Sequence, residues 1–322
     1  MNYAYADLHC DTLYAAWRHG ARDLSEVPGA MAGLDEVHRG GCGLQLYAIF
    51  MAEPDTEGFP GDEEYIRLLH EIFSNTMRDH GDIIARAESM ADIARNAAAG
   101  KTSAMLSMED GRAVQGNPEN LRRFYDMGVR VMGLTWNAPN CFGFPNSTDA
   151  EEMGKGLTAF GKEAIPLMEE VGMVVDVSHL SDGGFWDVAR LAKKPFIASH
   201  SNCRALNPHP RSLTDEMIRA LADRGGVMGL NFLPGFLTAD TEETHCSVDA
   251  LAAQLRHRIN TGGLECAAIG TDFDGISGTF EIPSAGHMPE LFDGLLKRGF
   301  TPYELDCISF RNVERVFRDT IG

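Results

Sequence analysis

A histidine and an aspartate stand two residues apart near the N-terminus, in the stretch DLHCDTL that runs from Asp7 to Leu13. Imidazole nitrogen and carboxylate oxygen are both common ligands of Zn²⁺ in proteins. If this stretch is a β-strand, residues two apart point to the same face, so His9 and Asp11 could both reach one ion. The pair alone does not define a metal site, because a single histidine at a strand end more often makes an ordinary buried hydrogen bond.

Four more residues of the same chemical types follow along the chain, each at the end of a short apolar run: Glu109, His179, His200 and Asp272. Together with the first pair they form a set that could hold two divalent cations, with Glu109 as the carboxylate shared by both. A water bridging two such ions would be a hydroxide near neutral pH, because a bound metal lowers the pKa of water from about 16 to about 7. Asp272 would then be placed to handle a proton.

Other polar residues near these positions carry weaker signals. Asp274, in TDFDG, is an alternative to Asp272 as the proton carrier, but we expect it to shape its loop. Arg211 follows His200 by eleven residues, where a guanidinium could bind a carboxylate through two hydrogen bonds. The residues expected to make structural hydrogen bonds or to be solvated are Asp110, Asp176 and His209.

The elements that must position these residues are eight short apolar runs, each with the length of a strand buried on both faces. In order they are YAYADLH, CGLQLYAIF, TSAMLSME, GVRVMGLTW, GMVVDVSH, PFIASH, GGVMGLNF and CAAIGTD. The segments between them have helical periodicity. One begins with Asn117 as a helix cap followed by Pro118 in the first turn, and two other segments end in Gly-Gly, which is typical of a helix end. The alternation predicts a parallel sheet, and eight units predict an α/β fold of the (β/α)8 TIM barrel type.

In such a barrel the active site lies at the C-terminal ends of the strands, where the candidate residues fall. An open doubly wound sheet is the other architecture that the alternation allows, but no GxGxxG follows a strand. No linker or low-complexity segment interrupts the pattern, so one domain over residues 1–322 is predicted. Irregular stretches at 136–150, 201–213 and 275–288 each follow a strand and are expected on the catalytic rim.

The composition limits the partners that the protein could have. With 28 basic and 47 acidic residues the formal net charge is −19, which argues against nucleic acid and against anionic membrane surfaces. No run reaches the roughly 18 apolar residues that a membrane span needs, and the first residues lack the pattern of a secretory signal. Seven cysteines without CxxC spacing indicate reduced thiols. We therefore expect a cytoplasmic protein with no disulfide framework.

In the order DLHCDTL, SMEDG, DVSHLS, SHSNCRALNPHPRSL and IGTDFDG, followed by RNVERVF, these segments resemble the membrane (renal) dipeptidase family, peptidase family M19. The resemblance runs from about residue 5 to about residue 318. It implies an amidohydrolase-type barrel that binds two zinc ions per chain and hydrolyses dipeptides, including those with a D-residue at the C-terminal position. It is also compatible with a homodimer.

Carried over by motif, the metal ligands that the resemblance implies are His9 and Asp11 for one zinc, His179 and His200 for the other, and Glu109 for both. Arg211 would bind the C-terminal carboxylate of the dipeptide. Asp272, with Asp274 as the alternative, would accept the proton of the attacking water and pass it to the leaving amine.

One position departs from the family pattern. Animal members have a histidine after the fourth strand that contacts the substrate and the tetrahedral intermediate, whereas this chain has Trp136 in GLTWNAPN. An indole could donate one hydrogen bond to an oxyanion or could form an apolar wall of the pocket, and we expect the wall. Two other functions remain open: a related amidohydrolase that acts on N-acyl amino acids, and a barrel that binds metal without turnover.

Overall fold

The computed structural model describes residues 3–240 and 242–322. Eight parallel strands form a closed barrel, in which each strand pairs with the next along the chain and the last pairs with the first. The TIM barrel predicted from the sequence is therefore confirmed. The barrel strands are β1 (Tyr5–Asp7), β2 (Cys42–Phe50), β3 (Thr102–Glu109), β4 (Val129–Gly133), β5 (Val174–Asp176), β6 (Ile197–Ala198), β7 (Val227–Leu230) and β8 (Ala267–Ile269).

Helices connect the strands on the outside of the barrel, and no helix in the two described ranges is long and apolar enough to cross a membrane. The α-helices are α1 (Thr12–His19), α2 (Leu34–Arg39), α3 (Asp62–Asp79), α4 (Met90–Ala98), α5 (Pro118–Met127), α6 (Ala150–Met153), α7 (Ala159–Val171), α8 (Asp182–Leu191), α9 (Asp215–Asp223), α10 (Val248–Gly262), α11 (Met288–Lys297), α12 (Pro302–Asp306) and α13 (Asn312–Thr320). Short 3₁₀ turns cover Leu24–Glu26, Gly111–Val114, Pro234–Phe236, Leu264–Cys266 and Ala285–His287, and a π-helical turn covers Cys307–Arg311.

Three short strands lie outside the barrel and were not expected from the sequence. Ile84–Arg86 pairs with the first residues of β3. His245–Cys246 and Thr279–Phe280 pair with each other in a separate two-stranded sheet. This two-stranded sheet joins the loop after β7 to the loop after β8, so the two loops stabilise each other.

Several barrel strands end earlier than their apolar runs suggest. The prediction that His9 and Asp11 share one face of a strand is wrong, because β1 ends at Asp7 and Asp11 immediately precedes α1. The Asp7 carboxylate accepts the backbone N–H of His9 at 3.3 Å, and Asp176 accepts that of Ser178 at 2.9 Å. An aspartate that bonds two residues ahead in this way favours a turn and diverts the chain from the sheet.

The interior of the barrel is an apolar cluster to which every barrel strand contributes: Ala6, Leu44, Met105, Val131, Val174, Ile197, Val227 and Ala268. At the N-terminal end of the strands, α13 packs Val313, Val316 and Phe317 against this cluster. All three of these side chains are buried. The C-terminal helix thus closes one end of the barrel with apolar side chains, while polar residues occupy the other end.

Candidate active site

The six candidate residues with metal-binding side chains meet at the C-terminal end of the barrel. Five strands deliver them: His9 and Asp11 follow β1, Glu109 is the last residue of β3, His179 follows β5, His200 follows β6 and Asp272 follows β8. Their donor atoms form three overlapping groups of three, each within 4.8 Å: His9, Asp11 and Glu109; Glu109, His179 and His200; His9, His200 and Asp272.

Glu109 lies between two pairs of ligands and offers one oxygen to each. Its Oε2 is 3.4 Å from His9 Nε2, which is itself 3.7 Å from Asp11 Oδ2. Its Oε1 is 2.9 Å from His179 Nε2 and 3.3 Å from His200 Nε2. A carboxylate in this position can serve two cations at once, one through each oxygen.

Polar atoms that are buried without a hydrogen-bond partner show that this cluster is built for a ligand. They are His9 Nε2 and Asp11 Oδ1. A buried polar group without a partner costs free energy, so such atoms require a special explanation in a native structure. Nitrogen and oxygen donors of this kind suit Zn²⁺ and related divalent ions, and the residues therefore fit a metal cofactor.

The electrostatics of the cluster keep most of these ligands in the form that binds metal. Burial alone would raise the pKa of Glu109, but His9, His179 and His200 together hold that pKa well below its usual range. Burial lowers the pKa of His179 to about 4, and it lowers the pKa of His200 well below the usual value, so both rings are neutral at pH 7. A neutral imidazole has the free lone pair that a metal ligand needs.

Asp272 is the aspartate of TDFDG that faces the cluster. Its Oδ1 lies 3.8 Å from His9 Nε2, and its Oδ2 accepts a hydrogen bond of 2.8 Å from Asn231 Nδ2. Burial raises the pKa of Asp272 to about 7, although His9 opposes this shift. Its φ of 64° places its backbone in the left-handed region, which is uncommon for non-glycine residues and clusters at functional sites.

Asp274, the alternative proton carrier, has a different environment. Its carboxylate accepts hydrogen bonds from Thr12 Oγ1 at 2.6 Å and from the backbone N–H groups of Met31 and Ala32 at 2.7 and 3.1 Å. These bonds tie the loop after β8 to the segment after β1. Asp272 therefore faces the cluster, whereas Asp274 makes the loop-shaping contacts expected of it.

Arg211 is almost completely buried beside the candidate metal ligands, with 5% of its surface exposed. Its Nη1 donates a hydrogen bond of 2.7 Å to Ser201 Oγ, whereas Nε and Nη2 have no partner. None of the ion pairs in the described part of the chain includes Arg211. Two unpartnered N–H groups on one buried guanidinium are the arrangement that binds a carboxylate bidentately.

His209 is half-buried and lines the cavity, so it is only partly exposed to solvent. Its ring packs against Phe236 with the ring centroids 4.7 Å apart, and its Nδ1 accepts the backbone N–H of Arg211 at 3.1 Å. This contact fixes the loop that carries Arg211 against the wall formed by the loop after β7.

A cavity of about 500 Å³ opens above the candidate metal ligands. Its wall includes Asp11, Tyr14, Phe50, Glu53, Thr56, Glu109, Trp136, Asn137, Asn146, His179, His209, Arg211, Leu233, Phe236, Asp272 and Asp274. Trp136 is half-buried, packs edge-on against Phe50 at 4.9 Å, and lies 6.2 Å from the ring of His179. The indole therefore forms part of the cavity wall next to a candidate metal ligand.

Sequence reasoning missed the residues that two rim loops contribute. Glu53 and Thr56 follow β2, and Leu233 and Phe236 follow β7. The sequence holds no signal for these four residues, because they line the cavity only through the paths of their loops. Asn231 is a different case, because it is a polar residue next to the end of the seventh apolar run and directly after β7, and it could have been found by its place at a strand end.

Comparison with known proteins assigns the family. Residues 2–321 match the family described as membrane dipeptidase, peptidase family M19. A Klebsiella pneumoniae protein described only as an uncharacterised protein in the pqqA 5′ region is 38% identical over 227 residues, which are 68% of this chain and 83% of that protein. An uncharacterised dipeptidase of Schizosaccharomyces pombe is 32% identical over 220 residues, 68% of this chain. That alignment spans only 53% of the yeast protein.

Two solved structures share the fold over nearly the whole chain. A metallo-peptidase called dipeptidase AC superimposes with a TM-score of 0.92 at 24% identity, covering 100% of both chains. A Rhodobacter sphaeroides metallo-peptidase liganded with a phosphinate mimic of the dipeptide L-Ala-D-Ala superimposes with a TM-score of 0.89 at 25% identity, covering 99% of this chain and 100% of that one. The chain is a member of peptidase family M19, the membrane dipeptidases, which are metallopeptidases of the TIM-barrel fold.

Proposed function

We propose that the protein is a binuclear zinc dipeptidase that hydrolyses the peptide bond of free dipeptides, including those with a D-residue at the C-terminal position. One observation carries this proposal: the buried Arg211, with two free N–H groups, lines the same cavity as the metal-binding residues. A substrate held by its terminal carboxylate in a cavity of this size would present a nearby amide bond to the metal centre. The ligand of the Rhodobacter sphaeroides relative, a mimic of L-Ala-D-Ala, supports a dipeptide as the substrate.

The ligands we propose are His9 and Asp11 for one zinc, His179 and His200 for the other, and Glu109 for both. Bound zinc would supply Lewis acidity and a water of lowered pKa. The chain itself contributes the rest of the chemistry. Arg211 orients the substrate through its carboxylate, and Phe50 and Trp136 exclude water from one side of the cavity.

Asp272 is the residue that we propose to move the proton. Its Oδ2 is held by Asn231, so Oδ1 is the oxygen that faces the metal-binding residues. It would accept the proton of the attacking water and deliver it to the amine nitrogen as the peptide bond breaks. One carboxylate can perform both transfers because it ends the cycle in the ionised form in which it began.

The test is a metal-reconstituted substrate screen. The purified protein should hold about two divalent ions per chain, and chelation should abolish hydrolysis until Zn²⁺ is restored. The screen should compare L-Xaa-L-Xaa and L-Xaa-D-Xaa dipeptides with N-acyl-D-amino acids, because all of these carry the carboxylate that Arg211 would bind. Faster turnover of the acylated amino acids would identify a related amidohydrolase, and metal binding without any turnover would identify a non-catalytic barrel.

A further inference from the structure

Asp176, the last residue of β5, is a buried carboxylate that has no role in the mechanism above. Its Oδ1 accepts the backbone N–H groups of Ser178 and Ser199, both at 2.9 Å. Its Oδ2 accepts the hydroxyl of Ser199 at 2.5 Å. An ionised carboxylate can only accept hydrogen bonds, so the single hydroxyl proton of Ser199 points at Asp176.

This direction fixes the tautomer of His200. Ser199 Oγ also lies 2.7 Å from His200 Nδ1. Because the hydroxyl proton is already directed at Asp176, Nδ1 must be the donor of this hydrogen bond. The proton of the neutral imidazole therefore sits on Nδ1, and the lone pair of Nε2 points toward Glu109 Oε1, 3.3 Å away. Two lone pairs facing each other leave room for a cation between them.

A second branch of the same network leads to Arg211. Ser199 Oγ is 3.3 Å from Ser178 Oγ, which is 3.4 Å from Ser201 Oγ. Ser201 Oγ accepts Arg211 Nη1 at 2.7 Å. The chain of hydrogen bonds begins at Arg211, which can only donate, and ends at the Asp176 carboxylate, which can only accept. The hydrogen bonds between them must therefore all run in one direction. Each of the three hydroxyls donates toward Asp176, and all three serines are at most 2% exposed.

We propose that Asp176 is a positioning residue for both halves of the active site. Through Ser199 it holds His200 in the tautomer that binds metal, and through Ser199, Ser178 and Ser201 it anchors the guanidinium of Arg211. Buried partners that orient a metal-binding histidine affect metal affinity strongly, by about 10- to 100-fold. This inference rests on the proposed metal site and deepens it, since it links metal affinity to the binding of the substrate carboxylate.

The decisive variant is Asp176→Asn, which keeps the shape and removes the acceptor of the Ser199 hydroxyl proton. The amide oxygen should replace Oδ1, where two N–H groups need an acceptor, so the amide NH₂ should face Ser199. The Ser199 hydroxyl would then donate to His200 Nδ1 and force the ring proton onto Nε2. We expect zinc affinity, measured by calorimetric titration against a competing chelator, to fall by about 10- to 100-fold. The unfolding temperature of the metal-free protein serves as the control for folding.

Two serine variants separate the branches. Ser199→Ala removes the acceptor of His200 Nδ1 and should also weaken zinc binding, which keeps the test decisive if Asp176→Asn does not fold. Ser201→Ala removes the contacts of this hydroxyl with Arg211 and Ser178 but leaves the bond between Ser199 and His200 Nδ1 in place, so zinc affinity should stay at the wild-type value. Its KM for dipeptides should rise about tenfold or more, as expected for a hydrogen bond to a charged group.

The outcomes distinguish this inference from the proposed function. If the wild-type protein binds no zinc, the proposed function fails before any variant is compared. If the wild-type protein binds zinc and both Asp176→Asn and Ser199→Ala bind it equally well, the positioning role of Asp176 is overturned while the dipeptidase proposal stands. Equal loss of zinc affinity in Ser201→Ala and Ser199→Ala would overturn the division into two branches.

Discussion

The two ends of this barrel bury side chains of opposite character, although the same eight strands form both. At the N-terminal end, Val313, Val316 and Phe317 of α13 cover an apolar cluster to which every barrel strand contributes. At the C-terminal end, side chains with charge or lone pairs are buried, and several have no partner within the protein. Packing at the N-terminal end stabilises the fold. Burial of polar groups at the C-terminal end lowers the stability of the fold but leaves those groups available to a ligand.

Backbone conformation shows the same contrast. Among non-glycine residues in the described ranges, positive φ values occur at His179, Asp272 and Asp274 on the rim, and at Asp110 and Gln115 in the segment after β3. Each such residue costs of order 1–3 kcal/mol and persists only where its surroundings impose it. The rim therefore combines unpartnered polar atoms with strained backbone, and variants at the two ends should have separable effects.

The largest effect is expected for Glu109→Gln at the rim. An amide cannot supply two anionic oxygens, so both metal sites should weaken together and hydrolysis should be lost. The loss of zinc affinity should exceed the roughly 100-fold seen for residues that only support ligands. His9→Ala is the matched control, because it should chiefly damage one site. Two tightly bound ions in Glu109→Gln, by metal analysis after dialysis, would remove Glu109 from the bridging position.

At the opposite end, Phe317→Ala should lower stability without altering the chemistry. Removing a buried aromatic ring from a packed cluster costs about 3–5 kcal/mol of unfolding free energy. Urea unfolding of the metal-free protein measures that loss, and Tyr303→Ala, at a side chain 64% exposed in the neighbouring α12, provides the control. The kcat/KM of the folded, zinc-loaded variant should match the wild-type value. A large change in kcat/KM would show that the two ends are coupled.

Arg211→Ala should discriminate between substrates. A charge-assisted pair with a carboxylate in a desolvated cavity contributes roughly 2–4 kcal/mol, so kcat/KM for dipeptides should fall about 30- to 1,000-fold. Dipeptide amides, which lack the carboxylate, should lose much less. Steady-state kinetics on matched acid and amide pairs give the ratio, and equal losses on both would place the substrate carboxylate elsewhere.

The sequence was most informative about the fold where the physics is local. Apolar runs of strand length that alternate with helical segments were enough to predict eight barrel strands, because a buried strand and an amphipathic helix each have a distinct periodicity. The ends of the strands were predicted less well. Asp7 and Asp176 end their strands by accepting N–H groups two residues ahead, although apolar residues continue beyond each of them.

For the site, the sequence indicated the residues whose side chains have unusual chemistry and missed those that act by position. Histidines and carboxylates at strand ends could be recognised by type. Leu233 and Phe236 could not, because they line the cavity only through the path of the loop after β7. The network around Asp176 was also missed, since the direction of a hydrogen bond depends on contacts between Ser199, Ser178 and Ser201 that no sequence pattern reveals.

Substitution of Trp136 is expected to change kcat least. The result is informative because it shows whether the indole donates a hydrogen bond to the oxyanion. The indole packs edge-on against Phe50 and lines the cavity, which is the contact pattern of a wall. Trp136→Phe keeps most of that wall and removes the only donor of the side chain. If the wall is its role, kcat should fall less than about tenfold, and Trp136→Ala should change the ranking of substrate side chains more. A kcat loss of about 10²- to 10³-fold in Trp136→Phe, the usual cost of removing an oxyanion donor, would instead show that the indole N–H stabilises the transition state.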